Sequence, residues 1–151
     1  EQPISRAEIV TLMVRAKDYP LPSDTKQVFT DVPLTFAAAA EIQAAFEHRL
    51  ANGYPDRTFK PRQNTSRVEG VVFSARFADL KLASGGSPYS DLASSFWALR
   101  EVLDAKEAGL LTLLAKGDRF SPSWTLTRAE LADLLYRTSF AQEKVRSLTP
   151  P

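Results

Sequence analysis

An all-α fold is predicted by three features of this 151-residue chain. First, a hydroxyl residue with Glu three positions on opens an apolar run at Ser5-Arg6-Ala7-Glu8, Ser66-Arg67-Val68-Glu69 and Thr127-Arg128-Ala129-Glu130. This is the capping-box signature of a helix N-terminus, in which the hydroxyl accepts from an early backbone N–H and the carboxylate reaches back to the cap residue. Second, the boxes recur at a step of 61 residues. Third, the stretches at 36–50 and 96–108 are Ala-rich and Leu-rich at helical spacing. The recurrence predicts that the three capped helices meet in one bundle about an approximate threefold axis.

Taken in order, the capped helices are expected at 6–16, 67–77 and 128–138. Ile9, Leu12, Met13 and Ala16 follow i, i+3, i+4, i+7, as do Leu131, Leu134, Leu135 and Thr138; the middle copy uses Val68, Val71, Val72 and Ala75. Each repeat opens with an aromatic-x-Asp turn, Phe29-Thr-Asp31 and Tyr89-Ser-Asp91, which leads into the first helix. Ile42, Ala45, Phe46 and Leu50 share one face of it in the middle repeat, and Leu99, Val102 and Leu103 in the last. A loop dense in turn residues, Asn52-Gly-Tyr-Pro-Asp-Arg-Thr-Phe-Lys-Pro61, then precedes the capped helix, with Tyr54 and Phe59 as its anchors. Phe59 and Pro61 align with Phe120 and Pro122, and Arg15, Arg76 and Arg137 align with one another. Phe36-Ala37 is matched to Trp97-Ala98, with one residue inserted before Trp97. The linkers at 19–24 and 82–88 carry the Pro or Gly that ends a helix. The domain is drawn at 1–141, as a partial first motif (1–19), a second (28–81) and a third (88–141). A tail at 142–151 is expected to extend the last helix and end in disorder.

Composition narrows the chemistry. The chain has no Cys and one His, His48, so thiolate and Cys/His metal chemistry are excluded, and no cofactor or metal is expected. A net charge of +1 argues against a nucleic-acid-binding stripe. No apolar run is long enough to span a membrane. The Arg at the first helical position of each box is unusual, because a cation there opposes the helix macrodipole. A role beyond helix stability is therefore expected for Arg6, Arg67 and Arg128.

The ordered set Phe29-Thr-Asp31-Val, Phe36-Ala37, Gly53-Tyr-Pro-Asp-Arg-Thr-Phe-Lys-Pro61 and Ser66-Arg-Val-Glu69 resembles the S-layer homology motif of bacterial surface proteins, whose pattern is F-x-D-V, W-A, G-Y-x-D-G-T-F-x-P and T-R-A-E. The resemblance covers nearly all of the chain. Arg57 stands at the family's loop Gly, and Leu113-Leu-Ala-Lys-Gly117-Asp118 replaces the third loop. The resemblance implies a pseudo-threefold helical domain, with a central three-helix bundle and loop-helix prongs. It also implies non-catalytic anchoring at the extracellular face of the bacterial cell envelope, by binding secondary cell-wall polymer, often pyruvylated, or peptidoglycan-linked glycan. The family's Arg lies in grooves between motifs, which carries over to Arg6, Arg67 and Arg128.

The residues suggest a mechanism for such a site. A guanidinium beside unpaired N–H groups at a helix N-terminus makes a compact anion site for a carboxylate. Phe36, Trp97 and Tyr54 are candidates for touching glycan, the first two being either core anchors or covers for an apolar sugar face. Asp31 and Asp91 either accept sugar hydroxyls or cap turns. Two other functions compete: a protein–protein assembly module of a surface layer, which would favour exposed apolar anchors, and a glycan-active enzyme with paired carboxylates. The second is disfavoured because Glu8, Glu69 and Glu130 are committed to capping. Finally, a first repeat lacking its own first helix is expected to leave a strip at Ile9, Leu12 and Met13, covered by a partner chain or a missing segment rather than by Phe140 and Val145 of the tail.

Overall fold

The computed structural model describes residues 2–81 and 84–148. Leu82 and Ala83 of the second linker, and the tail end at 149–151, lie outside the described residues. The fold is all-α. Among the described residues there are six helices: α1 (Arg6–Ala16), α2 (Ala39–Glu47), α3 (Arg67–Phe77), α4 (Leu99–Glu107), α5 (Arg128–Tyr136) and α6 (Ser139–Leu148). Extended pairing among them is limited to isolated bridges. The chain forms two compact units, Ile4–Thr65 and Ser66–Pro151 with Glu1–Pro3.

In the unit Ile4–Thr65, α1 packs against α2. The Ser5 hydroxyl accepts the Glu8 N–H, and the Glu8 carboxylate accepts the Ser5 N–H at 2.8 Å, so the capping box is complete. Ile9, Val10 and Met13 of α1 are fully buried, as are Ile42 and Ala45 of α2. The expected uncovered strip therefore shrinks to Leu12, which is 42% exposed. The reason is that α2, the first helix of the next repeat, lies against α1, so Ile9 and Met13 need no partner chain. Phe46 shares the predicted face but sits at its edge, 42% exposed and edge-on to Phe29 at 5.5 Å.

In the unit containing Ser66–Pro151, α3 packs against both α4 and α5, and α5 against α6. Ser66–Glu69 and Thr127–Glu130 complete the other two capping boxes. Val71, Leu131 and Leu134 are buried on the predicted faces. The chain breaks between α5 and α6, where the Thr138 hydroxyl donates to the Leu135 carbonyl and accepts the Ala141 N–H. The described part of the tail, 142–148, thus belongs to a separate helix that begins at Ser139 instead of extending α5. Phe140 packs edge-on against Phe77 of α3 at 5.2 Å, while Val145 remains 46% exposed.

Candidate binding cleft

The N-termini of α1 and α3 are closed by the chain itself. The Arg6 and Ala7 N–H groups donate to the Gln63 and Pro61 carbonyls at 3.1 and 3.0 Å. The equivalent groups of Arg67 and Val68 donate to Trp124 and Pro122 at 2.7 and 3.1 Å, and the Arg128 N–H donates to Gln2 at 2.9 Å. The proposed anion site beside unpaired N–H groups is corrected accordingly. In α1 and α3 the donors that such a site would use are taken by loop carbonyls, which satisfy orphan groups of the first turn.

The Arg6 and Arg67 side chains are likewise engaged within the protein. Arg6 is 4% exposed; its Nε donates to the Phe59 carbonyl at 2.7 Å, and its guanidinium lies 4.7 Å from the Tyr54 ring and 4.9 Å from that of Phe59. Arg67 pairs with Glu130 at 2.6 Å, donates to the Leu114 carbonyl at 3.3 Å, and lies 4.9 Å from the Trp124 ring. The residue that helix capping did not require therefore ties the loop of the following repeat to the helix start. Arg128 is the exposed member of the triplet.

The Asp pair serves as a clamp. Asp31 Oδ1 accepts the Phe59 N–H and Oδ2 accepts the Lys60 N–H, both at 2.7 Å. Asp91 does the same for Phe120 at 2.9 Å and Ser121 at 2.7 Å. Each carboxylate thereby fixes the backbone of the loop 28 to 30 residues later. Lys60 and Ser121 both adopt left-handed φ, 56° and 57°, a conformation that persists in non-Gly residues only when its surroundings hold it. The turn-capping alternative thus describes the main work of both Asp residues. The middle loop is a type of hairpin bend in which Arg57 donates to the Tyr54 carbonyl at 3.0 Å and Tyr54 to the Thr58 carbonyl at 2.8 Å. Arg57 itself has φ 64°, which explains a Gly preference at that position.

The clamp shapes a cleft of about 330 Å³ in the unit Ile4–Thr65, lined by Asp31, Pro33, Phe36, Lys60, Pro61, Arg62 and Gln63. Phe36 is half-buried, with the Arg62 guanidinium 5.7 Å from its ring. Tyr54 is not among the residues that line the cleft, and the Lys60 ammonium lies 4.2 Å over its ring. Of the candidate residues, the structure brings Asp31 and Phe36 together. It adds Lys60, Arg62 and Gln63, which sequence reasoning missed. The available signal was the basic pair flanking Pro61, immediately ahead of a capped helix.

The register of the repeats is also corrected. Phe36 and Phe96 both donate three residues back, to Pro33 and Ala93, and both accept from the first residue of the next helix, Ala39 and Leu99. The N-caps are Ala38 and Ala98. The step is therefore 60 through the first helix, Phe36 corresponds to Phe96, and Trp97 corresponds to Ala37. The extra residue lies in the following loop, since Thr30 donates to Arg57 and Ser90 to Asp118, a step of 61 on the acceptor side. A loop absorbs an insertion without rotating a helix face, whereas an insertion before Trp97 would have shifted the whole of α4. Trp97 is 64% exposed and packs beside Phe96, so it is no core anchor.

Acid should loosen the unit that carries α3 to α6. Partial burial works to raise the Glu130 carboxyl, but the Thr127 N–H and the Arg67 guanidinium outweigh it and hold the group below the usual glutamate range. Desolvation likewise works to raise Asp91, and the Phe120 and Ser121 N–H groups overcome it to leave that carboxyl lowered too. Carboxyls lowered by folding contribute stability above their unfolded pKa of ~4, and that stability is lost as pH falls through the folded value. Thermal melting is expected to be flat from about pH 7 to 5 and to fall steeply below about pH 4. Asp91→Asn should flatten that acid limb, as read by circular dichroism.

Comparison with known proteins places the repeat. The family model for the S-layer homology domain matches residues 28–69, a stretch that holds the clamp, the cleft and the second capping box. Residues 28–69 belong to the S-layer homology family. The chain is 40% identical over 93 residues to Cell surface glycoprotein 1 of Acetivibrio thermocellus, covering 59% of this chain and 4% of that protein. It is 29% identical over 109 residues to an endoglucanase of Bacillus sp., covering 72% and 11%, respectively. It is also 30% identical over 118 residues to the cellulosome-anchoring protein of A. thermocellus, covering 75% and 25%. The chain thus spans a quarter or less of the length of each of these relatives. Among the described residues, no helix is long and apolar enough to cross a membrane.

Proposed function

We propose that this chain is an anchoring module at the bacterial cell surface, and that its S-layer homology motif grips an acidic wall glycan in the cleft beside Asp31. Surface anchoring follows from the family and from relatives that include a cell surface glycoprotein and a cellulosome-anchoring protein. The acidic-glycan reading is carried by the cleft itself, which Lys60 and Arg62 line together with the partly open ring of Phe36. Two cations suit a carboxylate such as a pyruvate ketal, the ring suits the C–H face of a sugar, and Gln63 can both donate and accept. Each Asp31 oxygen, with one N–H already bound, retains a second acceptor site for a sugar hydroxyl. The glutamates of the capping boxes are bound to backbone N–H groups, which favours binding over paired-carboxylate catalysis.

The test is co-sedimentation with cell-wall sacculi before and after removal of the non-peptidoglycan polymer. Lys60→Ala/Arg62→Ala is expected to reduce association at least ~10-fold at unchanged melting temperature, the scale of a single charge-assisted hydrogen bond. Wild-type binding should weaken with added salt. Undiminished binding by the double variant would remove the cleft from consideration.

A further inference from the structure

The last repeat carries a chemically different surface at the place corresponding to the cleft. When the two Asp clamps are matched, Lys60, Pro61, Arg62 and Gln63 correspond to Ser121, Pro122, Ser123 and Trp124. Both cations are replaced by Ser, and the amide by an indole. Trp124 is 62% exposed, yet it is held firmly. Its N–H donates to the Ser121 carbonyl at 3.1 Å, and its carbonyl accepts the Arg67 N–H at 2.7 Å. The Arg67 guanidinium lies 4.9 Å from the ring centroid and is fixed in turn by Glu130 and the Leu114 carbonyl. One face of the indole is thus backed by an immobilised group whose charge is matched by Glu130.

We propose that Trp124 is a stacking platform for a neutral, β-linked pyranose whose ring substituents are equatorial. Such a ring directs its C–H bonds to its two faces, so it offers an apolar disc of the size of an indole. Burying that disc against a ring already ordered adds little entropic cost, which is the advantage of preorganisation. Ser121, Ser123 and Thr125, neighbours of Trp124 in sequence, supply hydroxyls for the sugar's outward groups. A protein partner would need about 800 Å² per side with a continuous apolar centre, whereas Ser123, Thr125, Arg128 and Ala129, close to this Trp in sequence, are exposed and mostly polar. The inference rests on the proposed function only in taking carbohydrate as the class of ligand, and it does not use the acidic-glycan cleft.

Isothermal titration with a β-1,4-linked N-acetylglucosamine tetramer tests it. Wild-type protein should bind, Trp124→Gln should weaken binding about 10-fold or more, and Trp124→Tyr should stay within a few-fold of wild type because a ring is retained. Lys60→Ala/Arg62→Ala should leave the tetramer isotherm unchanged even where it abolishes sedimentation with sacculi, so failure of one site is distinguishable from failure of the other. In a Trp97→Phe background, where Trp124 is the only indole, the tetramer should shift the fluorescence maximum to shorter wavelength. Absence of tetramer binding, equal binding by Trp124→Gln, or loss of tetramer binding in the Lys60/Arg62 variant would each overturn the platform.

Discussion

Asp31→Ala is expected to destabilise the unit Ile4–Thr65 by about 3 kcal/mol, from two hydrogen bonds to an ionised group at ~1.5 kcal/mol each. The Phe59 N–H has no substitute acceptor in prospect, since Phe59 is fully buried and water cannot reach it readily. The neighbouring Lys60 N–H would regain water, but its left-handed backbone would no longer be held by the carboxylate. Asp31→Asn keeps one acceptor oxygen and should fall roughly midway. Chemical denaturation measures both, and a loss below about 0.5 kcal/mol for the alanine variant would mean that the clamp contributes no more than an ordinary surface residue. Because the same carboxylate positions Lys60, association with wall glycan should fall together with stability. That joint loss separates Asp31 from Lys60 and Arg62, whose removal should affect binding alone.

Gly53→Ala is the second substitution with a large expected effect. A Cβ at Gly53 would overlap the edge of the Phe29 ring and lie 2.6 Å from the Thr58 carbonyl oxygen. Neither neighbour can withdraw freely. Phe29 is buried and packed against Phe46 and Phe59, at 5.5 and 5.2 Å between centroids, while the Thr58 carbonyl accepts the Tyr54 N–H. Overpacking of this kind costs about 1–3 kcal/mol, which corresponds to a melting temperature lower by several degrees. Gly86→Ala is the control, since open space surrounds that residue, and its melting temperature should stay near wild type. Equal melting of the Gly53 and Gly86 variants would show that the loop relaxes away from Phe29 at little cost.

The helices were legible in the sequence because capping is local chemistry. Ser5, Ser66 and Thr127 each need only a Glu three residues away, and α1 and α3 begin and end at the expected residues. The predicted use of the helix N-termini failed for the opposite reason. The carbonyls that occupy them come from Pro61, Gln63, Pro122 and Trp124, dozens of residues later, and backbone acceptors leave no trace in residue identity. The same blindness hid the partners of Arg6 and Arg67, most of which are carbonyl oxygens or ring faces. Asp31 and Phe36 were found because their types stand out, but Lys60 and Arg62 look like any solvated pair until the clamp turns the loop toward Phe36. The misplaced insertion before Trp97 arises from matching one aromatic to another. Hydrogen-bond pattern, which decides structural equivalence, favours Phe96.

Asp31 and Asp91 recognise main-chain N–H groups, which every residue except proline possesses. A fastener of that kind does not constrain which side chains are displayed beyond it. The segment from Lys60 to Gln63 can therefore drift in one copy toward charge, and the segment from Ser121 to Trp124 in the other toward an aromatic, without either copy losing its shape. Duplication of such a repeat yields interchangeable mounts, on which new specificities can be tried one residue at a time.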